Sequence, residues 1–163
     1  MSIIRPEDFV GTINIVDAEK PSVAEPLQIC IDKYEKKYLR SLLGNDLYLL
    51  FKAGIEAENP EQKWINLLAE FNDSMAGYIY YHWVRQNMTY TNRTGTSTAK
   101  NENAEATSPA QHLNDVWNDM VETNWDVVKN WNSEVYGAYY TNRSSFLSMD
   151  IFRRVNVWNL WYS

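Results

Sequence analysis

Apolar side chains in this 163-residue chain recur at steps of three and four, and that spacing confines most of it to helices. Leu27, Ile31, Tyr34, Tyr38 and Leu42 form one such face, and Lys33, Lys36, Lys37 and Arg40 fall off it. Ser22-Val-Ala-Glu25 has capping-box spacing, and Pro26 predicts a start near Glu25 with Pro in the first turn. Gly44, after Leu42-Leu43, predicts a stop. A short helix from Asp46 to Ala53 then carries Leu47, Leu50 and Phe51. Asn59-Pro60 opens a third helix, with Trp64, Leu67, Leu68 and Phe71 facing inward. The next, from about Asp73 to Thr89, is apolar on two sides, with Met75, Tyr78, Ile79 and His82 on one and Tyr81, Val84 and Met88 on the other. That pattern predicts a central helix. Ser108-Pro109-Ala-Gln111 supplies an N-cap, a Pro at the first helical position and a capping-box Gln. It predicts a last helix running to about Val135, with Leu113, Val116, Trp117, Met120, Val121, Val127, Val128 and Trp131 on its apolar side.

The expected fold is therefore mainly α: one domain over 1–163, a compact bundle of four to five helices with a long polar inter-helix loop and extended N- and C-terminal arms. The helical core spans 22–135. Residues 1–21 read as an arm in which Gly11-Thr-Ile-Asn-Ile15 permits one short strand. Residues 136–163 read as a second arm, aromatic at its end, where Val155 and Val157 would suit a strand. Between the two aromatic-rich halves lies TYTNRTGTSTAKNENAEATSP, residues 89–109, with loop 89–107 inside it. Structureless loops beyond about 12–15 residues are uncommon in compact domains and are usually functional or disordered. Gly95 permits a turn there and the Thr-rich half tolerates extended backbone. Both flanking helices need one shared core, so the stretch reads as an excursion ordered by neighbours rather than a domain boundary.

Little in the sequence points to catalysis. It has no nucleotide-binding glycine loop, no CxxC pair and no HExxH. The single cysteine, Cys30, lies among apolar neighbours and reads as a buried thiol. His82 reads as a hydrogen-bonded core histidine. His112 lies near Asp115 and Asp119, but no Glu-x-x-His accompanies it, so no metal and no cofactor is expected. Asp115, Asp119, Glu122 and Asp126 step along the polar side of the last helix with no interleaved lysine. They read as a solvated face, or as one kept acidic so that a polyanion can pass. The formal net charge of −6 argues against broad phosphate binding. Seven Trp and eleven Tyr favour large protein contacts. No apolar run approaches a membrane span, and the first residues lack the pattern of a secretion signal, so neither a membrane nor a leader is expected.

The stretch IDKYEKKYLRSLLGNDLYLLF, 31–51, resembles the head-to-tail connector (adaptor) proteins of tailed bacteriophages, of the kind found in crAss-like and other Bacteroidetes phages. The likeness continues through GYIYYHWVRQ, TGTSTAKNENA and HLNDVWNDMV, and so covers about 27–128. It rests on apolar spacing, Leu-Leu-Gly and loop composition, without a catalytic signature. The resemblance implies a non-enzymatic virion protein of the neck, made in the host bacterial cytoplasm. It implies a closed ring of about twelve copies under the portal vertex. Its partners would be further copies of itself, the portal protein and the next tail or neck ring, with genomic DNA passing nearby in the channel. Loops and arms grip neighbours in such rings, which points to Thr91, Arg93, Thr94, Thr96, Thr98 and Lys100 for subunit contacts. By the same argument Phe146, Phe152, Arg153, Arg154, Trp158 and Trp161 would dock on the portal or a neighbour, and removing 146–163 should spare the helical fold. Asp115, Asp119, Glu122 and Asp126 become candidates for the channel lining. Another neck or tail-completion ring, or a free-standing helical binding module, fits the same composition.

Overall fold

The computed structural model describes residues 2–92, 95–98, 109–130 and 150–155. Among them are three α-helices: α1 (Pro21–Ile55), α2 (Gln62–Met88) and α3 (Pro109–Asn130). Short 3-10 turns lie at Pro6–Asp8, Gly11–Ile13 and Asp150–Phe152. The fold is mainly α, as the periodicity implies, with three helices in place of the four to five expected.

Two expected breaks account for the difference. Gly44 does leave helical geometry, at φ 73 and ψ 169, a region open essentially to glycine. Two helical segments meet across it, so the break falls where expected but as a kink that joins both segments into the one continuous element α1. No break occurs between Phe71 and Asp73. Trp64, Leu67, Phe71, Met75, Tyr78 and Ile79 continue one buried stripe across that point. Asn72 and Asp73 lie off the buried stripe, where a helix tolerates them for a few tenths of a kcal/mol each.

The start of α1 also lies earlier than expected. Lys20 is extended (φ −73, ψ 134), Pro21 takes the first position, and the Val23 and Ala24 N–H groups donate to the Lys20 carbonyl at 2.8 and 2.7 Å. Pro26 thus lies inside the helix, one turn in. At α3 the start falls on Pro109, as predicted; the end expected at Val135 lies outside the described residues.

Helix α2 is central. Its Phe71 meets Phe51 of α1 at 5.5 Å between ring centroids, while its Tyr78 and Tyr81 meet Trp117 of α3 at 5.9 and 4.6 Å. The side carrying Tyr78 and His82 packs against both α1 and α3, through Tyr34 and Trp117, while Tyr81 on the other side packs against Trp117 of α3. The N-terminal segment is no free arm: Ile4, Phe9, Ile15 and Ala18 are buried in the same core. A 3-10 turn at Gly11–Ile13 replaces the permitted strand. Gly11 adopts φ 64, which removes it from extended geometry. After α2 the backbone forms an antiparallel hairpin, β1 (Thr89–Asn92) with β2 (Gly95–Thr98), registering Thr91 with Thr96. The polar excursion therefore opens as paired strands rather than as a loop throughout.

Candidate functional site

A buried polar hub ties the elements together. Tyr38 of α1, Ser74 of α2 and Asn124 of α3 are all buried. Asn124 Oδ1 accepts from the Tyr38 hydroxyl at 2.6 Å and from the Ser74 hydroxyl at 2.7 Å. Ser74 Oγ also lies 3.2 Å from the Met120 carbonyl. Asn124 Nδ2 donates to the Ile151 carbonyl at 2.9 Å. Burial pushes the Tyr38 phenol far above its usual range, so it stays a neutral donor. The hub holds no nucleophile–base pair and reads as an orienting device.

The same contacts change the reading of the C-terminal segment. Ile151 and Phe152 are buried, and Phe152 packs edge-on against Trp125 at 5.5 Å. Trp117 Nε1 donates to the Arg153 carbonyl at 2.8 Å and Trp125 Nε1 to the Phe152 carbonyl at 3.1 Å. Asn118 brackets Val155 through its amide, accepting from Val155 N–H at 3.0 Å and donating to its carbonyl at 3.2 Å. Phe152 is thus a core residue of its own chain and not a free docking side chain. Val155 is held by a side chain, not by a strand. Arg153 and Arg154 remain exposed, and Arg154 pairs with Glu122. Phe146, Trp158 and Trp161 lie outside the described residues.

Asp115, Asp119, Glu122 and Asp126 are all exposed along α3. Glu122 has its partner in Arg154, so the expected unpaired stripe reduces to three carboxylates with no ion pair among the described residues. Asp119 also borders a groove of about 320 Å³ between the N-terminal segment, α2 and α3. On the other flank, Lys33, Lys36, Lys37 and Arg40 are exposed along α1, again with no ion pair among the described residues. Lys33 lies over the Tyr34 ring at 4.7 Å and Arg40 over the Tyr48 ring at 5.3 Å.

The acids of α1 point elsewhere. Glu35 Oε2 accepts from the Ile3 and Ile4 N–H groups at 2.8 and 2.9 Å. Burial raises its pKa despite those two bonds. Asp32 accepts from Ser2 and from Gln28, the latter at 2.9 Å, and these bonds lower its pKa. Both acids line a groove of about 460 Å³ beneath Ser2 and Ile3.

His82 departs from expectation. Its ring stacks on Tyr34 at 4.0 Å and 5°, with Tyr78, Tyr81 and Trp117 around it. Its Nε2 is buried without a hydrogen-bond partner. Burial, then the nearby Lys37, Arg85 and Lys33, lower its pKa to about 4. His112 meets Tyr80 edge-on at 5.9 Å. Cys30 is buried, as its neighbours imply, and its thiol is pushed up to about 11. Among the described residues no three His, Cys, Asp or Glu side chains are grouped to hold a metal ion, and no helix is long and apolar enough to cross a membrane.

Of the hairpin candidates, Thr91 lies in β1 and Thr96 and Thr98 in β2. Arg93, Thr94 and Lys100 lie outside the described residues. Sequence reasoning passed over Glu35, Ser74 and Asn124, although each is a polar residue on an apolar helical stripe, which is the available signal. Comparison of the chain with family models, with curated proteins and with solved structures returns no match.

Proposed function

We propose that the chain is a structural subunit of a phage neck, forming a ring that joins the portal to the tail and surrounds the DNA channel. The observation that carries this reading is where the four resembling stretches lie. IDKYEKKYLRSLLGNDLYLLF is in α1, GYIYYHWVRQ in α2, TGTSTAKNENA enters β2, and HLNDVWNDMV is in α3. The three helical stretches belong to one packed core, with the hairpin leaving it between α2 and α3. A net charge of −6 supports it further, because a cationic lining would hold DNA that has to slide. The partners are further copies, the portal protein and the adjoining ring, and the role is mechanical rather than catalytic. The site of action is the virion neck. Portal attachment falls to the chain beyond Val155, including Trp158 and Trp161, together with exposed Arg153.

Electron microscopy of the chain mixed with the portal protein of its own virus tests the proposal. A ring seated on the portal vertex is expected. A chain that stays off the portal and remains monomeric would make it a free-standing binding module instead.

A further inference from the structure

We infer that the cationic outer face of α1 docks on the acidic outer face of α3 of a second copy. This deepens the ring reading and rests on it for closure of the ring. Lys33, Lys36, Lys37 and Arg40 carry the first face; Asp115, Asp119 and Asp126 carry the second.

Each face holds like charges at helical spacings of three and four, an arrangement that destabilises a helix standing alone. Local compensation for α1 is incomplete: no ion pair forms with these four cations among the described residues. Asp32, four residues before Lys36, is engaged by Ser2 and Gln28, and Glu35 is turned inward onto Ile3 and Ile4. The acids that α1 carries among these cations are thus used to hold the N-terminal segment. On α3, Arg154 takes Glu122, and among the described residues the other three carboxylates form no ion pair. The α1 face reaches about 10 Å and the α3 face about 16 Å at about 1.5 Å per residue, so the shorter cationic row fits within the acidic one.

Within one copy the two faces do not meet: among the described residues no ion pair joins any of the four cations to Asp115, Asp119 or Asp126. The contact is therefore between copies, and it uses two different patches. Repetition of such a heterologous contact closes a ring when the rotation permits. It also places the acidic stripe at the seam between subunits, in place of the channel lining expected from sequence. Duplex DNA is the rival occupant of the α1 face, and the molecule's net negative charge opposes it.

Charge exchange tests the pairing. One variant carries Lys33→Glu, Lys36→Glu, Lys37→Glu and Arg40→Glu; the other carries Asp115→Lys, Asp119→Lys and Asp126→Lys. All seven side chains are exposed, and circular dichroism with thermal melting verifies that each variant keeps its helices. Sedimentation velocity over a concentration series should show the wild type self-associating at low salt. The association should weaken more than about tenfold near 1 M salt, where the Debye length is about 3 Å. Each variant alone should lose it, and an equimolar mixture should regain it. Variants that associate like wild type, a mixture that stays apart, or a monomeric wild type overturn the pairing. So does a DNA duplex that binds the wild type and is lost with the α1 variant. Rings of both variants on the portal would retire the pairing while leaving the ring itself standing.

Discussion

Gly54 and Gly77 are both helical glycines, and their surroundings separate them. A Cβ on Gly54 would sit 2.1 Å from Trp64 Nε1, in the middle of a stiff indole. Gly54→Ala should destabilise the protein by about 1–3 kcal/mol through overpacking, which outweighs the gain in helix propensity. A Cβ on Gly77 would meet Val116 at 3.6 Å, an ordinary contact. Gly77→Ala should therefore stabilise by about 0.5–1 kcal/mol. Urea midpoints of the two variants decide both signs. His82 gives the pH dependence. The unfolded chain binds a proton near 6.5, whereas the folded chain refuses it until about 4. Stability should fall as pH drops through that window, by up to about 1.4 kcal/mol per unit, and level off below it. Because the ring is only partly buried, the slope should be shallower than that ceiling. Glu35, with its raised pKa, slopes the other way, so the wild type is compared with His82→Phe at each pH. Parallel stability curves would clear His82 of the effect.

Among elements, the hub is what sequence hid. The stripe through Leu27, Ile31, Tyr34, Tyr38 and Leu42 was legible, and all five are buried. So were the Pro109 start and the glycine that breaks α1. Ser74 and Asn124 were not, because a short polar side chain on a helix reads as solvent-facing until its partner is known. That partner lies 50 residues away in sequence. The docked N-terminal segment escaped for the same reason, since Glu35 finds its donors 31 and 32 residues back. Asn124→Ala strands the Ile151 carbonyl and removes the acceptor that Tyr38 and Ser74 share, leaving Tyr38 only Ser74 Oγ at 3.0 Å and Ser74 only the Met120 carbonyl at 3.2 Å. It should cost about 1–3 kcal/mol for each group stranded. Combined with Tyr38→Phe it should fall well short of additivity in a double-mutant cycle; additive losses would show that the hub is not a unit. Deleting residues from 150 onward removes Ile151 and Phe152 from the core and strands the Asn124, Trp117 and Trp125 donors. The helical fold should then lose its fixed tertiary packing, visible as a collapsed near-ultraviolet dichroism signal, instead of surviving truncation as the sequence suggested.

At the scale of the molecule, two peripheral segments fasten one helical core. Residues 2–20 are pinned on α1 by Glu35 and by fully buried Ile4, and residues 150–155 are pinned on α3. Glu35→Ala should free the first without melting the second. Limited proteolysis should then cut within 2–20 well before the helices lose dichroism, and simultaneous loss of both would mean that the segment is integral to the core. Fastening of this kind also orders events during synthesis. The Asn124 amide completes its bonding only on the Ile151 carbonyl. A nascent chain whose three helices have left the ribosome still lacks that carbonyl until residue 151 emerges. Up to that moment α3 has a half-satisfied polar centre and an uncovered patch around Trp125, the kind of exposed surface that makes an incomplete chain prone to aggregate. Translation itself thereby leaves the polar centre of α3 incomplete until Ile151 has been made.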